Sequence, residues 1–77
     1  MQKVDSLYDQ IEEICWNFCR RMPDKRGTAE YLQNVRKVAE LYGKAKEAKA
    51  FVVPENTKPV EGCLENILQQ LARLPVL

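Results

Sequence analysis

Apolar residues recur at alternating steps of three and four along residues 4–22, and this spacing is the strongest structural signal in the chain. The repeating positions are Val4, Leu7, Ile11, Ile14 and Phe18. An α-helix turns once every 3.6 residues, so these side chains share one face. The pattern predicts a first helix over residues 5–22, capped near Ser6 and ended by Pro23.

Two more segments carry helical patterns. The second is predicted over residues 28–50, with Thr28 as its N-cap. The third is predicted over residues 58–74, with Pro59 in its first turn, where its missing amide hydrogen costs nothing. Short connections make neighbouring helices antiparallel. The fold class predicted for residues 1–77 is therefore all-α, a single domain built as a small antiparallel three-helix bundle.

The core of this bundle is expected to combine the apolar stripes of the three helices. Leu41 and Trp16 do not fit these stripes. Lys46 and Lys49 fall on the apolar face of the second helix, so its core-facing part is expected to end at Ala45. The core residues predicted are Leu7, Ile11, Ile14, Phe18, Val35, Val38, Leu64, Ile67 and Leu71.

Composition argues against catalysis and against a metal site. The chain contains no histidine, which removes the commonest general base and a common metal ligand. Its three cysteines are too few for a structural zinc site without a further ligand. Cys15 and Cys19 lie near the C-terminal end of the first helix, which disfavours a thiolate. We therefore expect no enzyme, no metal and no cofactor.

The odd cysteine count also argues against a disulfide framework. We expect three reduced cysteines, as in the cytoplasm or another reducing compartment. The chain shows neither the pattern of a signal peptide nor an apolar run of about 20 residues that would span a membrane. The amphipathic third helix lacks the lysines typical of a helix lying on a membrane.

Exposed apolar residues indicate a surface for another protein. Trp16 lies outside the core stripe among charged residues, an arrangement typical of interface anchors. The alternative is that the third helix or residues 51–53 cover this indole. The residues predicted to bind a partner are Trp16, Glu12, Arg20, Leu41 and Phe51.

Basic residues near the first turn and on the second helix support a different function. Such a patch is sufficient for binding phosphates. However, the net charge is only +1 and glutamates are interspersed with the bases, so any binding to nucleic acid is expected to be weak and non-specific. The residues predicted for this alternative are Arg20, Arg21, Lys25, Arg26, Arg36 and Lys37.

The function that these observations favour is a small non-enzymatic interaction module. It would act as an adaptor, inhibitor or accessory regulatory subunit by docking on another protein or on a second copy of itself. By analogy alone, its size resembles that of regulators encoded by phages and mobile elements. A helical nucleic-acid-binding module is the alternative.

Overall fold

Three helices make up the computed structural model, which describes residues 2–21, 29–52, 55 and 57–74. Helix α1 spans Gln2–Arg21, α2 spans Ala29–Ala50 and α3 spans Thr57–Ala72. The predicted class, a small all-α three-helix bundle, is confirmed. Pro59 lies in the first turn of α3, as expected. Thr28 and the turn at residues 23–27 lie outside the described residues.

The helices run antiparallel and each packs against the other two. Asp5 at the start of α1 pairs with Lys49 at the end of α2, at 3.6 Å between Oδ1 and Nζ. Further along α1, Glu12 meets Tyr42, so position rises in one helix as it falls in the other. Residues 51–56 reach about 20 Å at most, whereas α2 is about 33 Å long. Helix α3 must therefore return alongside α2.

The core lies along the axis of the bundle and contains most of the residues predicted for it. Ile14 and Val35 differ, because both are half-buried against its edge. Tyr8, Cys15 and Ala45 join the core as well. The buried apolar residues are Val4, Leu7, Tyr8, Ile11, Cys15, Phe18, Val38, Leu41, Ala45, Leu64, Ile67 and Leu71.

The prediction that Leu41 lies on the surface is wrong. Its exposed fraction is 0%, and it belongs to the central core cluster. Leu41 lies about 60° from Val38 and 40° from Ala45 around α2, so all three fit one inward arc. The buried face of α2 is therefore rotated away from the predicted stripe, whose members Leu32 and Ala39 are exposed.

Two helix ends lie two or more residues from the predicted bounds, namely the start of α1 and the end of α3 at Ala72. Helix α1 begins at Gln2 and not near Ser6, because Val4 is buried against the core with an exposed fraction of 1%. Packing of this side chain favours an additional turn. The core-facing part of α2 also continues beyond Ala45, since Ala48 and Val52 pack against the core. Among the described helices, none combines the length and apolar character needed to cross a bilayer.

Candidate functional site

Aromatic and charged side chains close one half of the seam between α1 and α2. The Tyr8 hydroxyl donates to the Tyr42 hydroxyl at 3.4 Å, and Tyr42 donates to Glu12 Oε2 at 3.3 Å. The two rings stack with centroids 6.2 Å apart. Lys49 Nζ lies 4.4 Å from the centre of the Tyr8 ring, a cation–π distance. These contacts cover this half of the seam with polar and charged groups.

The other half of the same seam is an open apolar groove of about 250 Å³. It lies between the C-terminal half of α1 and the N-terminal half of α2. Its lining residues are Cys15, Trp16, Cys19, Val35, Val38, Ala39 and Tyr42.

Trp16 forms the outer wall of this groove, with an exposed fraction of 60%. Neither α3 nor the described residues after α2 cover it, so the alternative of a covered indole is wrong. On the other side of Trp16 lies a polar pocket formed with Glu13, Asn17 and Arg20. These four residues follow the i, i+3, i+4, i+7 spacing of one helix face. Trp16 thus separates an apolar groove from a small patch with one charge of each sign.

Cys15 lies at the base of the groove and is chemically inert compared with an ordinary thiol. Burial, followed by the neighbouring Cys19 and Glu12, raises its pKa from 9.0 to about 11. The hydrogen bond with Tyr8, then desolvation and the Glu12 carboxylate, raise the pKa of the Tyr42 hydroxyl. Both groups therefore remain protonated and neutral near pH 7. Neither Cys15 nor Tyr42 is therefore activated as a nucleophile.

The structure brings together only part of the predicted partner-binding set. Trp16 and Arg20 share one exposed face, and Glu12 lies at the edge of the groove as the acceptor for Tyr42. Leu41 is excluded because it is core. Phe51 is exposed by 75%, but it follows the last residue of α2 and lies about 18 Å from Ala39 along the helix axis. Phe51 therefore does not belong to the face that contains Trp16.

The predicted nucleic-acid residues that the structure describes lie on α1 and α2. Arg20 lies beside Glu13 in the polar pocket. Arg36 is exposed on α2, whereas Lys37 pairs with Glu40 at 3.7 Å. Arg21 is the last residue of α1, and Lys25 and Arg26 lie outside the described residues.

The cysteines carry free thiols: Cys15 is buried, and Cys19 and Cys63 are exposed. Cys63 therefore lies outside the buried face of α3, which is formed by Leu64, Ile67 and Leu71. Within the described ranges, no three Cys, Asp or Glu side chains come close enough together to hold a metal ion.

The groove itself was not predicted from the sequence, although part of its signal is there. Leu32, Val35, Ala39 and Tyr42 are spaced by three, four and three residues, so they form a stripe on α2. From the sequence alone, this stripe is predicted to belong to the core. The structure shows that Leu32 is 51% exposed and that Ala39 is also exposed, because α1 covers only one flank of the stripe.

Searches of protein-family models, curated proteins and solved structures find no significant match to this chain. Its function is therefore argued from the surface alone.

Proposed function

We propose that this protein is a small non-enzymatic docking module whose binding face is the open half of the α1–α2 seam. The observation that carries this proposal is the exposure of Trp16 beside an apolar groove. Burying an indole stabilises a complex by several kcal/mol at about 25 cal/mol per Å². Such aromatic anchors dominate the binding energy of protein interfaces.

The groove fits an α-helix as its occupant. The groove is lined by two antiparallel helices. A helix from a partner packs into such a groove through side chains spaced by three and four residues. Because Cys19 and Cys63 are exposed free thiols, we assign this activity to a reducing compartment such as the cytoplasm.

The test is affinity capture from native cell extract with three baits: the unchanged chain, Trp16→Ala and Phe51→Ala. Phe51→Ala is the matched control, because it also removes an exposed aromatic residue but from a different part of the surface. We expect the unchanged chain and Phe51→Ala to retain a partner that Trp16→Ala loses. Equal retention by all three baits, or no captured partner, contradicts the proposal.

A further inference from the structure

We infer that the docking face is self-complementary and that its occupant is a second copy of this chain, bound about a two-fold axis. This inference rests on the proposed function and names the partner of the same face. It is based on the order of charges along α1 and on the asymmetry of the α1–α2 seam.

The charges on the exposed face of α1 favour an antiparallel pairing with itself. Glu13 and Arg20 lie seven residues apart, two turns along the helix, with Trp16 and Asn17 between them. A two-fold axis passing between positions 16 and 17 places Glu13 of one copy opposite Arg20 of the other. Symmetry repeats this contact, so the paired α1 helices gain two ion pairs.

The same axis places the apolar groups together. In an antiparallel α1–α1 pair, the two-fold axis is perpendicular to both helices. Both copies of α2 then lie on the same side of the plane that contains the two α1 helices. The two grooves then face each other, and the Trp16 ring of each copy lies across the groove of the other. The groove, at about 250 Å³, is large enough to receive an indole ring.

The closed half of the seam explains why the contact is confined to this end. There, Tyr8 donates a hydrogen bond to Tyr42, and Tyr42 donates one to Glu12. Lys49 covers the Tyr8 ring. The half around Trp16 contains the open apolar groove. The face has seven residues around the groove and three more in the polar pocket, fewer than the roughly 20–30 a side of a standard interface. We therefore expect a dissociation constant in the micromolar range.

Sedimentation velocity over about 1 µM to 1 mM protein, under reducing conditions, measures the association directly. We expect the unchanged chain to dimerise and Trp16→Ala to dimerise at least about 30-fold more weakly, as hot-spot truncations do. Phe51→Ala should dimerise as the unchanged chain does. The helical circular dichroism of each variant establishes that it is folded.

Charge exchange tests the two-fold arrangement specifically. Glu13→Arg alone and Arg20→Glu alone each place like charges opposite each other, and each should weaken dimerisation about tenfold. Mixing these two chains should restore association as a heterodimer, because the first presents only bases and the second only acids.

Two cysteines provide an independent readout within one chain. Cys19 lines the groove, whereas Cys63 is exposed on α3. Alkylation of Cys19 should slow as protein concentration rises, while that of Cys63 stays constant.

A chain that remains monomeric to about 1 mM overturns this inference. So does a dimer that is indifferent to the Trp16, Glu13 and Arg20 substitutions. If the chain is a monomer that still captures a foreign protein through Trp16, the identity of the occupant as a second copy is overturned, but the proposed docking function remains. If the chain forms a dimer with the expected dependence on charge and captures no other protein, the result supports the inference. The docking face then binds a second copy and not a different protein.

Discussion

Asn34 is a polar residue within an apolar core. Its exposed fraction is 8%, and its Nδ2 atom makes no hydrogen bond to the described residues. A buried donor without a partner costs about 1–3 kcal/mol. Asparagine is also a weaker helix former than alanine. At this position, the side chain therefore works against the stability of α2.

We expect Asn34→Ala to raise the free energy of unfolding by about 1–2 kcal/mol, after a small loss for the cavity. Urea denaturation followed by circular dichroism measures this change. Asn66→Ala is the matched control, since it makes the same substitution at an exposed position of α3 and gains only helix propensity. A gain at Asn34 no larger than that at Asn66 would show that the buried amide is hydrogen-bonded.

Cys15 predicts a loss of stability in alkaline solution. Its folded-state pKa, about 11, exceeds its ordinary value of 9.0, so the folded protein keeps a proton that the unfolded chain releases. The stabilisation is complete below pH 9 and is lost as the pH rises through 11. We expect the free energy of unfolding to fall between pH 9 and 11. The interval from pH 9 to 10 reports mainly on the cysteine, because it lies below the ordinary tyrosine pKa of 10.0.

The control for this pH dependence is Cys15→Ala, which removes the titrating group. Its overall stability is lower because packing is lost, but its free energy of unfolding should change less between pH 9 and 10. Parallel curves for the two proteins would assign the alkaline loss to other groups. Dilute protein keeps the measurement on the monomer.

At the scale of the elements, α2 is the helix whose buried face differs most from its predicted apolar stripe. Leu41 and Ala45 are fully buried, while Leu32 and Ala39 on a different flank stay exposed. The core-facing part of α2 does not end where Lys46 and Lys49 occur, because Ala48 and Val52 also pack against the core. Lys49 extends over the ring of Tyr8, and Lys46 lies 5.6 Å from the centre of the Tyr42 ring. Their apolar stems and charged ends cover the seam together.

Gly43 weakens α2 without a compensating contact inside the chain. One explanation is that another helix approaches it closely, but a Cβ atom added here would have no described heavy atom within 4 Å. We therefore expect Gly43→Ala to stabilise the monomer by about 0.5–1 kcal/mol. Thermal and urea denaturation of the dilute protein measure this gain. A loss would indicate strain that the backbone does not otherwise show.

Gly62→Ala provides a comparison in α3, where an added Cβ atom would also meet no described atom. Both substitutions should increase stability by similar amounts. A penalty on association, but not on folding, confined to Gly43→Ala would extend the docking face along α2.

The whole molecule is a narrow bundle, with extents of 44 × 18 × 16 Å. At typical values per residue, a chain of this length has a free energy of unfolding of about 4–12 kcal/mol. A surface tryptophan in so small a protein represents a large share of the apolar area that association can still bury. Docking and folding stability are therefore expected to be linked, with the complex melting at higher temperature than the monomer.

The near-neutral charge of the whole molecule predicts poor binding to nucleic acid. Lys37 and Lys44 share Glu40 on α2, and Arg20 lies beside Glu13. We expect fluorescence anisotropy to detect at most weak, salt-sensitive binding to an arbitrary duplex, without preference for sequence. Arg36→Gln should then flatten the salt dependence by about one unit if Arg36 contacts a phosphate. Nanomolar, sequence-dependent binding at physiological salt would favour the nucleic-acid function.

The sequence by itself determined the helices and the fold class, and it placed Trp16 off the core stripe of α1; its exposure was decided by the structure. The helices and this placement of Trp16 follow from local periodicity, because a helix presents every third and fourth residue to the same side. Val4, Ile11 and Phe18 define the inward face of α1, and Trp16 lies far from it.

Only the tertiary structure decided which flank of α2 is covered, and so which residues form the candidate site. Leu41 and Leu32 are the same residue type on one helix, yet the first is core and the second is half-exposed. The difference depends on where α1 and α3 lie around α2, and no pattern within one helix contains that information. The groove beside Trp16 arises in the same way, since one side comes from α1 and the other from α2.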